Sequence, residues 1–175
     1  LVYNTIDSCY NISVPTGVQT IRSGLFSPGS DTNTVSNPTG IDVIATNSFS
    51  GTTANNHVRS ITTYDIEGLD DYAFYDCNAL ESVTMYPSAG ATAGESIGKY
   101  AFGQCDALSS VALPSTTSSM GIRPFAGDKA LTTVNFIGSA SGSTAPTATG
   151  TNFASSNGLL YQLSNGSKSS LVECL

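Results

Sequence analysis

Charge is the first thing this chain lacks. Asp, Glu, Lys and Arg make up 11% of its 175 residues, against about a quarter in an ordinary soluble domain. The basic residues number six in a chain of net charge −7, and they are scattered, which excludes a nucleic-acid interface. Tryptophan is absent and there is a single histidine, His57. One histidine and no C-x-x-C pair are too little for the usual zinc sets, so no metal site is expected. His57 also has no partner for nucleophilic catalysis. No apolar run approaches the roughly 18 residues that a membrane-spanning helix needs. No residue pattern encodes a chemistry, so neither an enzyme nor a cofactor is expected. With so few charges, Ser, Thr, Asn and Gly must cover the surface, a composition common in secreted and surface proteins. The chain begins at Leu1 without a visible signal peptide. It reads as a processed or excised segment with an extracellular or cell-surface location.

What the chain does have is a repeat. Leu69 to Met85 reads LDDYAFYDCNALESVTM, Ile97 to Leu113 reads IGKYAFGQCDALSSVAL, and Met120 to Phe136 reads MGIRPFAGDKALTTVNF. The apolar positions coincide. Leu69, Ile97 and Met120 open the units, and Phe74, Phe102 and Phe125 follow five residues later. Leu80, Leu108 and Leu131 come next, then Val83, Val111 and Val134. Cys77 matches Cys105, and Asp128 stands in their place in the third copy. Self-similarity at a period of about 20–50 residues marks a solenoid. The phenylalanines extend to Phe26, Phe49 and Phe153 at intervals of 23, 25, 28, 23 and 28. The base period is then 23, lengthened by small-residue loops such as PSAGATAGES and GSASGSTAPTATGT.

Each clear unit predicts one short strand, from its L-x-x-V-x-[ML] spacing. Alternate residues share a face, so Val83 and Met85 point inward and Ser82 and Thr84 outward. Cys9, Ile12 and Val14 keep the spacing of Leu80, Val83 and Met85, and Val58 and Ile61 take the Leu80 and Val83 roles. The strand of the unit after Phe26 is not assignable. The A-F-x-x-C portion predicts a single helical or 3₁₀ turn. One domain, residues 1–175, is expected. Its clear repeats span 69–136, its degenerate repeats 1–68, and a strand-rich unit closes it at 153–175.

These units resemble the BspA-type (treponema-type) leucine-rich repeat, whose pattern is I-G-x-x-A-F-x-x-C-x-x-L-x-x-V-x-[IL]-P; Ile97 to Pro114 fits it almost throughout. Asn157 to Leu175 resembles the D-G-x-L-Y … L-V-x-Y-P segment found between blocks of such repeats. The resemblance implies a β-dominated leucine-rich-repeat solenoid of about six coils, with short strands and 3₁₀ or single-turn helices. It also implies a surface or secreted protein, adhesin-like, that contacts an extracellular protein or glycan. It carries over no catalytic residues.

The outward strand positions form the expected binding face: Ser60, Thr62, Ser82, Thr84, Ser110, Ala112, Thr133 and Asn135, extended by Asn11 and Ser13. On a leucine-rich solenoid this face is concave. Here it has neither an aromatic anchor nor an arginine, so it reads either as a plain solvated sheet or as a shallow polar contact surface. Tyr72, Tyr75 and Tyr100 repeat on the other side as packing or contact residues. The acidic group Asp65, Glu67, Asp70 and Asp71 lacks the spacing of a calcium loop. Glu81 and Glu95 are the carboxylates nearest to a glycosidase pair, with nothing to single them out. Asn11 and Asn165 open sequons, and the Ser/Thr run from Ser139 to Thr151 has the composition of an O-glycosylated or flexible loop. Cys77 and Cys105, in neighbouring coils, are either buried thiols or a disulfide. Neither end shows a clear polar cap, so end-to-end self-association into a filament is a second possibility. In that case Cys9 and Cys174, at opposite ends of the rod, are placed to pair across a junction.

Overall fold

The computed structural model describes residues 59–64, 68–87, 94–138, 146–147 and 149–175, and before these only the backbone of five strand segments. Those segments are β1 (Val2–Asn4), β2 (Cys9–Ser13), β3 (Thr20–Ile21), β4 (Thr32–Ser36) and β5 (Val43–Ile44). They are followed by β6 (Ser60–Tyr64), β7 (Gly68–Leu69), β8 (Ser82–Tyr86), β9 (Ser96–Ile97), β10 (Ser110–Pro114), β11 (Ser119–Met120) and β12 (Val134–Ile137). The chain ends with β13 (Phe153–Ser156), β14 (Leu159–Ser164) and β15 (Ser167–Cys174).

Each coil contributes one strand to each of two sheets. The longer strands form a seven-stranded sheet in the order β1-β2-β4-β6-β8-β10-β12, parallel from β2 onward. The two-residue strands form a second parallel sheet, β11-β9-β7-β5-β3. Only the first of these was anticipated. The second forms at the apolar residue that opens each unit, so that Ile21, Ile44, Leu69, Ile97 and Met120 are in register. Two residues are too few to show a period of two, and the sequence therefore gives no strand signal there. The unassigned strand after Phe26 is β4, TNTVS. Its only apolar residue, Val35, joins the column Ile12, Val35, Ile61, Val83, Val111 and Val134.

The expected helical or 3₁₀ turn is not formed, and the described residues contain no helix. Instead the A-F-x-x-C segment makes consecutive i→i+3 turns, Tyr75 N–H to Tyr72 O at 3.2 Å and Cys77 N–H to Phe74 O at 3.3 Å. Tyr72, Asp76, Tyr100 and Gln104 sit at φ of 58°, 61°, 50° and 66°. The alternate N–H groups in between are turned toward the next coil. Tyr72, Phe74 and Asp76 donate to Lys99, Ala101 and Gly103, and Tyr100, Phe102 and Gln104 donate to Ile122, Pro124 and Ala126. A helix would have used those donors internally; here they make a third ladder between coils.

Between the ladders lies one core. Phe74, Phe102 and Phe125 stack with centroids 5.4 Å apart and nearly parallel planes, the offset-stacked arrangement that aromatic pairs favour. Leu80, Leu108, Leu131, Val83, Val111 and Val134 are all buried around them. Thr63 is the exception. It stands opposite Met85 in the ladder, and its buried hydroxyl has no partner among the described residues. Phe153, the last member of the phenylalanine series, leaves the stack: it is buried on β13, in the antiparallel sheet β13-β14-β15. The described residues include no helix long and apolar enough to cross a membrane.

Candidate binding face

The strand positions predicted to face outward share register positions across the long-stranded sheet. Asn11, Thr34, Ser60, Ser82 and Ser110 occupy one register position across five strands. Ser13, Ser36, Thr62, Thr84, Ala112 and Asn135 occupy the next. Thr133 sits just before β12, beside the first column. Ser60, Thr62, Ser82, Thr84, Thr133 and Asn135 are half-buried and Ser110 is exposed. Half-burial follows from the roughly 4.8 Å strand spacing, at which each short side chain shields its neighbour. Ala112 is 8% exposed and interrupts the second column with a methyl group. The result is a shallow floor of hydroxyl and amide groups over a layer that is apolar apart from Thr63. It has hydrogen-bonding capacity and, by sequence, no formally charged residue in either column.

The other predicted residues fall elsewhere. Cys77 and Cys105 are buried free thiols, so of the two readings of that pair the structure has the thiols. Cys105 Sγ donates to Phe74 O at 3.2 Å. Burial, followed by the neighbouring Cys77 thiol and the Asp128 charge, pushes the Cys105 thiol well above its usual range. Cys174 is exposed on β15 and free. Cys9 and Asn11 lie on β2, whose side chains are outside the described residues, as are His57, Asp65 and Glu67. Asp71 Oδ1 accepts the Lys99 backbone N–H at 2.7 Å. Glu81 is paired with Arg59 at 2.6 Å on the surface, and buried Glu95 accepts from Thr116 Oγ1 at 2.7 Å. Asn165 sits at the tip of the β14–β15 hairpin, exposed, with φ of 51° followed by Gly166 at 73°. Part of the Ser139–Thr151 run is fixed rather than loose: Thr147 bridges to Phe136 and Thr149 to Ala154.

The expectation of a bare C-terminal end is overturned. The last coil has no following coil to accept its inward N–H groups, and side chains from the three-stranded sheet take that role. Phe74 donates to Ala101 O and Phe102 to Pro124 O, whereas Phe125 N–H donates to Glu173 Oε2 at 2.8 Å. Val134 N–H donates to Ser155 Oγ at 3.1 Å, and Phe136 exchanges both backbone bonds with Thr147. Asp128, in the cysteine slot, reaches back so that Oδ1 accepts the Cys105 N–H at 2.8 Å. Burial, followed by the charges of Glu173 and Asp106, pushes the Asp128 carboxyl up to about 8 against the lowering effect of the Cys105 bond. Burial also raises Glu173, partly countered by the Phe125 N–H and by Arg123. Sequence reasoning missed this cap because it works through single polar side chains. The visible trace was Asp128, the one acidic residue in an otherwise apolar column.

The sequence matches the family described as the BspA type leucine rich repeat region, in six copies, over residues 2–132 and 91–145. The chain belongs to this family. Among solved structures, the pneumococcal vaccine antigen PcpA aligns with 91% of this chain and 46% of its own, at 15% identity and a TM-score of 0.42. A leucine rich cell surface protein from Faecalibacterium prausnitzii A2-165 aligns with 89% of this chain and 57% of its own, at 13% identity and a TM-score of 0.34. This chain therefore spans about half the length of each. No curated protein matches it.

Proposed function

We propose that the chain is a binding module of an extracellular or cell-surface protein, adhesin-like, and that its polar strand ladder contacts a protein or glycan partner. The observation that carries this reading is the ladder itself. Two columns of Ser, Thr and Asn, broken only at Ala112 among the described residues, continue in register from strand to strand, while the layer beneath them is closed and, Thr63 apart, apolar. Small uncharged side chains present a flat hydrogen-bonding surface at little cost in side-chain entropy. Family membership and the low charge content agree with a display role. Asn165, at an exposed hairpin tip, is open to glycan attachment, and intact mass of natively sourced protein before and after deglycosylation reads it out.

Self-association is the second reading. The three-stranded sheet covers the last coil, so a head-to-tail contact at that end would run along β15, an edge strand that exposes Leu171 at 53%. Light scattering over a range of concentrations separates a short monomeric rod from a growing fibre. The binding reading is tested on arrays of matrix proteins and glycans with wild type and Ser82→Arg/Thr84→Arg. Loss of a wild-type signal by about tenfold or more in the variant, at an unchanged unfolding midpoint, is the expected result. Equal binding by both removes the ladder from the account.

A further inference from the structure

The three-stranded sheet meets the last coil along a seam. Its strands β13, β14 and β15 form a sheet of their own, and isolated bridges at Phe136–Thr147 and Thr149–Ala154 lead into it. Across the seam, Phe153 and Leu160 enter the coil core. Side-chain bonds complete it: Glu173 to the Phe125 N–H, Ser155 to the Val134 N–H, and Asn152 Nδ2 to Thr117 O. The edge at β15 can therefore part from the coil without breaking the ladder of any sheet.

Two carboxyl groups are shut inside this seam, one from each side. Asp128 belongs to the last coil and Glu173 to β15, and each is 6% exposed. One oxygen of each accepts a backbone N–H, from Cys105 for Asp128 and from Phe125 for Glu173. The other oxygens, Asp128 Oδ2 and Glu173 Oε1, are buried with no partner among the described residues. No lysine or arginine is buried among the described residues. Arg123 acts on Glu173 from an exposed position. Lys129 is held at the surface by Asp106 at 2.7 Å, and Asp106 adds its own negative charge toward Asp128. Cys105, with Cys77 against it, is a neutral thiol that burial pushes well above its usual range. Ionised together, Asp128 and Glu173 would set two negative charges across the seam with no buried counter-charge.

We propose that Asp128 and Glu173 form a pH latch: while both are neutral β15 stays seated on the last coil, and when they ionise the three-stranded sheet lifts at that edge. A buried carboxylate without a cation needs water, and lifting this edge brings water to both oxygens while the coils stay stacked. Burial pushes Asp128 up to about 8 and raises Glu173 in the same direction. Seating is therefore firmest below about pH 4 and is lost as pH rises through about 8. The lifted form bares the Phe125 N–H, whose counterparts at Phe74 and Phe102 pair with the next coil. The latch thus controls access to a coil-pairing donor.

Amide exchange of the full chain from pH 6 to 8.5, corrected for the intrinsic rate, tests it. Phe125 and Val134 report on the seam and Phe102 on the stacked coils. In wild type, Phe125 and Val134 should be less protected than Phe102 at every pH, and their protection should fall by about tenfold or more across the range. Asp128→Asn should remove most of that fall, and Asp128→Asn with Glu173→Gln the rest, with Phe102 still protected. The proposal is overturned if the wild-type seam amides do not lose protection with pH. It is also overturned if they match Phe102 throughout, since the seam would then open only with the whole chain. A fall that persists in the double variant overturns it as well.

Discussion

Replacing Asp128 by asparagine should change how stability depends on pH, and the structure sets the sign and scale. Asp128 is 6% exposed; Oδ1 holds the Cys105 N–H at 2.8 Å, and Oδ2 is buried without a partner. Its carboxyl ionises near 8 in the folded chain against 3.8 ordinarily. The unfolded chain therefore releases this proton first as pH rises. The stability linked to the neutral acid is complete below about pH 4, declines through the interval, and is gone above about pH 8. At about 1.4 kcal/mol per pH unit, that gap sets a ceiling of just under 6 kcal/mol, and water reaching the ionised group lowers the realised loss to roughly 2–4 kcal/mol. Asp128→Asn keeps the oxygen that accepts from Cys105 and has no proton to lose, but buries an amide NH₂ at a cost of about 1–3 kcal/mol. The two stability curves should cross, with wild type ahead at pH 5 and the variant ahead at pH 8.5. Urea unfolding at four pH values reads this directly. Glu173, raised in the same direction, titrates in both proteins and largely cancels in the difference. A difference that stays constant from pH 5 to 8.5 would refute the reasoning that Asp128 is buried as an acid.

Phe102→Ala removes the middle ring of the stack and should cost about 3–5 kcal/mol in denaturant unfolding; a loss below about 1 kcal/mol contradicts the stacked core. With a thiol reagent under native conditions, Cys174 should label while Cys77 and Cys105 stay silent until the chain unfolds, as their burial demands; native labelling of Cys77 or Cys105, or failure of either to label in denaturant without reductant, contradicts the buried free thiols. Glu173→Ala leaves the Phe125 N–H buried without its acceptor and should cost about 1–3 kcal/mol, with β13 to β15 becoming sensitive to limited proteolysis first. Glu173→Gln, which retains an acceptor oxygen, should lose less than half as much.

Much of the fold was legible in the sequence because the core repeats. The Val and Leu columns, the phenylalanine stack over residues 74–125 and the outward Ser/Thr positions follow from spacing alone, since one period and one strand alternation fix them. What was illegible is local backbone chemistry. The turn at Tyr72–Asp76 has the apolar spacing of a helical turn, yet left-handed residues at Tyr72 and Asp76 send its donors to the next coil. That choice is made by the neighbouring coil, which a spacing argument within one unit does not include. The five-residue strand TNTVS carries one apolar residue and is recognisable only from the strands beside it. The cap depends on Glu173 meeting an N–H 48 residues away, a contact with no period at all. The candidate face was therefore readable as a column, whereas the cap, assembled from single side chains, was not.

Hydrogen exchange at the Phe74, Phe102 and Phe125 amides tests the central claim, that the coils stack through a continuous ladder closed by a side-chain cap. Phe74 and Phe102 should exchange only with global unfolding in both wild type and Glu173→Ala. Phe125 should be protected in wild type and lose most of that protection in the variant. Exchange of Phe74 and Phe102 at the rates of an open chain, or a Phe125 amide indifferent to Glu173, would contradict the account.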